Sequence, residues 1–142
     1  MKISPNFVIQ EFVYPELFAA MGQKSIWYID PKIVNICEFI RVKTGKAVTV
    51  NNWHTGGQYK ESGLRRFNTT TGARMSLHKF GKAADIKVKG MTPPEVFEFI
   101  KSNWIELRNL GLTTVEDVTF TRSWSHLDCR NTGKSELLIV RP

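Results

Sequence analysis

Sulfur and imidazole are both scarce in this chain, with two cysteines and three histidines in 142 residues. Cys37 and Cys129 are too few and too far apart for a disulfide framework or a four-sulfur metal site, so both are expected as buried thiols. No apolar stretch approaches the ~20 residues of a membrane span. The opening Met1-Lys2-Ile3-Ser4-Pro5-Asn6 lacks the apolar core of a signal peptide. The expectation is synthesis in a cytoplasm, with no membrane partner. Internal repeats and low-complexity runs are missing too. At 42% hydrophobic, residues 1–142 suit one domain that buries roughly 70% of its unfolded surface without a staple. Acidic residues are the minority, 13 against 20 Lys and Arg, for a net charge of +7. Such a balance favours a polyanion: nucleic acid, an anionic membrane face or an acidic wall polymer. The cations are scattered, so charge alone selects no partner.

The apolar pattern predicts a mixed fold. Pro15 opens a short helix over Glu16–Ala20, broken at Met21-Gly22-Gln23. Ile33, Ile36, Phe39 and Ile40 recur at helical spacing, which predicts a helix from Pro31 to Thr44. Asp30 is its N-cap, Pro31 its first residue and Gly45 its stop. Ala47–Asn51 reads as a short buried strand. Residues 52–75 are rich in breakers, and a loop of that length inside a small domain is usually functional. A strand follows over Ala83–Val88, with Ala84, Ile86 and Val88 facing the core and Asp85 the opposite side. Thr92-Pro93-Pro94-Glu95 has the form of a capping box and opens a helix through about Trp104. Val115–Phe120 and Trp124–Cys129 are expected to pair around a turn near Arg122-Ser123, and Leu137–Val140 to add a last strand.

Two of the three histidines fall in short polar motifs. Ser76-Leu77-His78-Lys79-Phe80-Gly81-Lys82-Ala83-Ala84-Asp85 supplies an imidazole and a carboxylate, and Trp124-Ser125-His126-Leu127-Asp128 supplies a second imidazole. Two imidazoles and one carboxylate, with room for a water, are what a hydrolytic zinc site requires. On one helix His78 and Asp85 would stand about 10 Å apart along the axis, too far to share an ion. His78 must therefore sit in a loop that folds back beside the strand carrying Asp85, a turn that Gly81 permits. On spacing alone, ordinary surface or hydrogen-bonded histidines and a strand-end carboxylate are the better account.

Ser76-x-His78-x-x-Gly81-x-Ala83-x-Asp85 followed by Trp124-x-His126-x-Asp128 resembles the signature of the zinc D-Ala-D-Ala carboxypeptidase family. That family includes phage L-alanyl-D-glutamate endopeptidases and shares its fold with the hedgehog signalling domain. Asn51–Tyr59 and Ser62–Arg65 also resemble the loop region of phage-encoded members. The resemblance implies His78, Asp85 and His126 as zinc ligands, Ser76 close to bound substrate, and Asp128 orienting a histidine. Arg65 is the candidate for holding a substrate carboxylate, because a guanidinium pairs with it through two parallel hydrogen bonds; Arg66 and Arg74 are its rivals. Many relatives carry a carboxylate three residues before the last histidine, where this chain has Ser123. The nearest acids are Glu116 and Asp117. An odd number of residues in the turn puts Glu116 on the face of His126, an even number Asp117. Phage-type relatives favour Glu116 as the general base. His54, beside Trp53, reads as a packing residue.

The expected fold is α+β: a small, largely antiparallel sheet flanked by helices, of hedgehog/DD-peptidase type, in a monomer. The expected function is a zinc metallopeptidase acting on peptidoglycan stem peptides or cross-links, phage or prophage encoded. It would reach the wall by phage-type release or as a virion component. A zinc-binding structural module, such as a tail component, is the alternative. Nucleic-acid binding ranks last, since no recognition motif accompanies the charge.

Overall fold

The computed structural model describes residues Met1–Pro142 as a single α+β domain. Helix α1 spans Pro15–Met21 and α2 spans Pro31–Thr44. The second has the boundaries its sequence dictates. The Asp30 carboxylate accepts from the Lys32 amide, and Gly45 closes the helix at φ 67°. Ile33, Ile36 and Ile40 are buried along one face, while Phe39 is half-buried. The expected break after α1 is filled instead by a 3₁₀ turn over Gly22–Tyr28. The Ser25 hydroxyl stabilises it by donating to the Gly22 carbonyl at 2.6 Å.

Five strands form one sheet in the order β1-β2-β4-β3-β5: β1 Val48–Thr49, β2 Ala83–Val88, β3 Thr114–Glu116, β4 Ser125–Asp128 and β5 Leu138–Val140. The β1–β2, β2–β4 and β4–β3 pairs are antiparallel, and β3–β5 is parallel. β1 is shorter than the expected Ala47–Asn51 because the long loop displaces it. The Asp85 amide donates to the Ser62 carbonyl at 2.7 Å, where a longer β1 would otherwise pair. β3 stops at Glu116 rather than Phe120. The Asp117 carboxylate turns the chain there by accepting from the Thr119 amide and hydroxyl.

After the Thr92–Glu95 capping box, α3 runs over Pro93–Ser102. A fourth helix, α4, follows over Trp104–Asn109. The helix expected to continue through Trp104 breaks at Asn103 (φ −118°, ψ 28°), whose side-chain amide takes the Phe99 carbonyl. The core is one cluster of 23 buried residues. It joins α2 and α3 to the sheet face carrying Ala84, Ile86, Val88, Val115 and Leu127. Cys37 and Cys129 are buried and unpaired, as expected. Every charged residue on β2, β3 and β4 discussed below lies on the other face.

Candidate metal centre

Strand register builds the site. Asp85 is paired with His126 across β2–β4. The β3–β4 register, Thr114↔Asp128 and Val115↔Leu127, brings Glu116 opposite His126 one step further on. Three adjacent strands thus place Asp85, His126 and Glu116 in one row on one face. Nine residues separate Glu116 from His126, an odd number, and Asp117 is turned away. The fourth member arrives from a 3₁₀ turn over Leu77–Phe80. Ser76 caps this turn, its hydroxyl accepting from the His78 amide at 3.4 Å. Gly81 (φ 67°) ends it. A Cβ on Gly81 would strike the Tyr28 carbonyl, so the turn can lie against the preceding segment only with glycine there.

His78, Asp85 and His126 are buried, and one ligand atom from each lies within 4.8 Å of the others. His78 Nε2 stands 3.2 Å from Asp85 Oδ1 and 3.2 Å from His126 Nδ1; His126 Nδ1 to Asp85 Oδ1 is 2.9 Å. The outward ring nitrogens explain which inward atoms carry lone pairs. His78 Nδ1 lies 2.8 Å from the Gly63 carbonyl, which can only accept, so that nitrogen bears the hydrogen and Nε2 is free to ligate. His126 Nε2 lies 3.1 Å from Asp128 Oδ2, which leaves Nδ1 as the inward ligand. Asp128, fully buried, is in turn clasped by Arg130 through Nε at 2.8 Å and Nη2 at 2.5 Å.

Three lone-pair atoms packed this closely repel one another unless a cation lies among them. Without a metal, that cation is a proton on His126. Burial would lower its pKa, but the Asp128 and Asp85 carboxylates on either side hold it up to about 9. Burial opposes ionisation of Asp85 as well, yet the hydrogen bonds from His126 and His78 keep its carboxyl well below the usual range. A divalent ion fits the same place: two neutral imidazoles and one carboxylate oxygen form an N₂O donor set, each donor with its orientation fixed from behind.

Glu116 sits at the edge of this cluster, its Oε1 3.9 Å from His126 Nδ1. Both line a cleft of about 660 Å³ walled by the loop Thr71–Leu77 on one side and Val140–Pro142 on the other. Ser76 lines that cleft too, besides capping the turn. Arg65 departs from its expected part. Its Nη2 is bound to Asp85 Oδ2 at 2.7 Å and its Nε to the Glu61 carbonyl at 2.8 Å. The guanidinium first of all holds a member of the cluster, and only Nη1 faces the cleft wall at Gly72. Arg66 is paired with Glu16 and Glu61, and Arg74 is exposed. His54 stacks edge-on against Trp53 at 5.9 Å, away from the cleft.

Two contributors escaped the sequence reading. The Gly63 carbonyl has no side-chain signature at all. Arg130 stands two residues beyond Asp128 on the end of a strand, so it lies on the same face, and this spacing was a usable signal. No family model, no curated protein and no solved structure matches this chain.

Proposed function

We propose that the chain is a zinc-dependent peptidase of hedgehog/D-Ala-D-Ala-peptidase type that hydrolyses an amide bond in peptidoglycan peptides, and that it is phage or prophage encoded. The observation that supports it most is the combination of three convergent lone pairs with a carboxylate at their edge, Glu116, 3.9 Å from His126 Nδ1. Unlike Asp85 and Asp128, Glu116 is held by no arginine. His78 Nε2, Asp85 Oδ1 and His126 Nδ1 are the atoms that would hold the ion, and zinc accepts such a mixed donor set. The chemistry zinc supplies when bound is polarisation of the scissile carbonyl and acidification of water.

The chain's own residues do the rest. Glu116 takes the proton that an attacking water loses as its oxygen bonds to the carbonyl carbon. It delivers that proton to the nitrogen as the C–N bond breaks. Arg65 and Asp128 fix the positions of Asp85 and His126. Arg141, which also lines the cleft, suits a substrate bearing a carboxylate, whereas Arg130 is committed to Asp128.

The test is metal content together with release of new amino groups from purified peptidoglycan. Wild type should carry one zinc per chain, and His126→Ala should lose metal and activity together. Glu116→Gln should keep its metal and lose roughly 10²–10⁴ of the rate. Zinc without amide cleavage would move the reading to a zinc-stabilised binding module. No metal at all would remove the site.

A further inference from the structure

A second groove of about 660 Å³ shares Arg65 with the cleft but contains none of the metal-cluster residues. Its aromatic rings are unusually open: Trp27 is 72% exposed, Phe67 70%, Tyr28 50% and Phe80 43%. Apolar surface gathered in this way marks a binding site more often than chance exposure. Its floor holds the opposite kind of group. Lys79 is only 7% exposed, and its ammonium donates to the Arg74 carbonyl at 3.1 Å. An ammonium has three hydrogens to give, so a groove lining carries a nearly buried cation with donors unspent.

The walls are pre-formed. The Asp30 amide donates to the Gly81 carbonyl at 3.0 Å, which pins the segment bearing Trp27 and Tyr28 to the turn bearing Lys79 and Phe80. Phe67 and Phe80 meet edge to face at 5.6 Å. The groove is also tied to the metal cluster by covalent structure. His78 belongs to the cluster, and the next two residues, Lys79 and Phe80, line the groove. The two sites therefore meet along one turn, with Arg65 lining both.

The occupant must offer flat apolar faces to the rings and an acceptor to Lys79. A purely apolar occupant would seal the ammonium away from water without a partner, which is costly. A pyranose ring has a C–H face that stacks on aromatic rings, and its hydroxyl and acetamido oxygens can accept from the ammonium. Single-stranded nucleic acid also stacks on such rings, but of the groove's cations Arg65 is bound to Asp85 and Lys79 to the Arg74 carbonyl, and the Asp30 carboxylate stands among them, so no row of free cations tracks a phosphate chain. We propose that this groove binds the glycan strand of the wall polymer, a chain of acetylated amino sugars whose hydroxyl and acetamido oxygens accept from Lys79, while the peptide branch enters the cleft. The identity of the polymer rests on the peptidase reading; the preference for a pyranose chain does not.

The experiment uses the full chain and the variants Trp27→Ala and Phe67→Ala, whose exposed rings contribute little to folding, with thermal midpoints as the check. Binding of peptide-free wall glycan strands is measured by calorimetry. Turnover is followed separately on intact peptidoglycan and on a short free stem peptide. The variants should weaken strand binding about tenfold and raise KM on intact wall, with kcat and the stem-peptide rate unchanged. Failure of the wild type to bind strands, or equal binding by both variants, would overturn the proposal, as would tighter binding to single-stranded DNA than to strands. Strand binding that depends on both rings, in a chain that cuts no amide, would uphold the groove and remove only the peptidase reading.

Discussion

Asp128→Asn isolates the contact that decides which nitrogen of His126 faces the cluster. The wild-type carboxylate receives four donors: His126 Nε2–H at 3.1 Å, Arg130 Nε at 2.8 Å, Arg130 Nη2 at 2.5 Å and the Arg130 amide at 3.2 Å. Asparagine keeps the shape but offers a single oxygen and an NH₂. If the oxygen stays with Arg130, the NH₂ must face His126, and the imidazole relieves that donor–donor contact by moving its hydrogen to Nδ1. The hydrogen then points at Asp85 and His78, into the position a metal lone pair must occupy. Loss of such an outer partner costs about 10–100-fold in metal affinity, or roughly 1.4–2.7 kcal/mol. Fold stability should fall as well. Breaking a fully buried pair costs several kcal/mol, but Arg130 is 32% exposed, so about 1–2 kcal/mol is expected after solvent screening. Competition against a chromogenic zinc chelator reads the first quantity and urea denaturation of the metal-free protein the second. A zinc Kd within twofold of wild type, in a protein where His126→Ala abolishes binding, would refute the tautomer argument.

Gly81→Ala combines a left-handed backbone with a Cβ that meets the Tyr28 carbonyl. The two penalties together predict about 3 kcal/mol of destabilisation in urea, and a loss below ~1 kcal/mol would mean that the turn can move. Metal removal should leave the fold intact, since 23 residues form the core without the ion. A chelator should lower the melting temperature with the far-UV dichroism unchanged at 25 °C, and unfolding on chelation would contradict this. In the metal-free protein His126 is held up to about 9 by Asp128 and Asp85 against the opposing effect of burial. Its stabilisation is complete below about 6.5 and disappears as pH rises towards 9. The urea midpoint should therefore fall over that interval, and the same slope in His126→Gln would show that the imidazole is not its source.

Where local chemistry and tertiary packing agree, the chain could be read directly. Asp30, Pro31 and Gly45 mark both ends of α2, and the alternation in Ala83–Val88 sets which side of β2 carries Asp85. The capping box at Thr92 likewise starts α3 where expected. Misses occurred where a side chain far along the chain, or a backbone carbonyl, makes the decision. Asn103 breaks the helix by taking the Phe99 carbonyl, and Ser62 replaces β1 beside Asp85. The site shows the same division. The strand faces of Asp85 and His126 follow from period-two alternation. The choice between Glu116 and Asp117 depended on the number of residues in a connection whose ends only the register reveals. Arg65 was recognisable as a carboxylate binder, but a sequence does not tell a guanidinium aimed at substrate from one aimed at a neighbour 20 residues along the chain.

That second possibility bears on what kind of ion this cluster could hold. A carboxylate can give a metal one oxygen or two, and Asp85 turns Oδ1 towards the histidines while Arg65 holds Oδ2 at 2.7 Å. With Oδ2 occupied, Asp85 would supply one donor to a bound ion, and the three residues together would supply three. A bidentate aspartate would crowd the fourth position, leaving little room for water or a substrate oxygen. Closed four-ligand sites stabilise folds, whereas three protein ligands with an open position are the pattern of hydrolytic zinc. The cluster and Glu116 line the cleft together, so an open position would face it and not the core. Arg130 acts in parallel on Asp128, neutralising a carboxylate that otherwise would add a second negative charge behind His126. Each of the two arginines thus balances one buried aspartate, and Glu116 is left as the cleft carboxylate that no arginine holds. This division of charge supports the catalytic reading over a structural one.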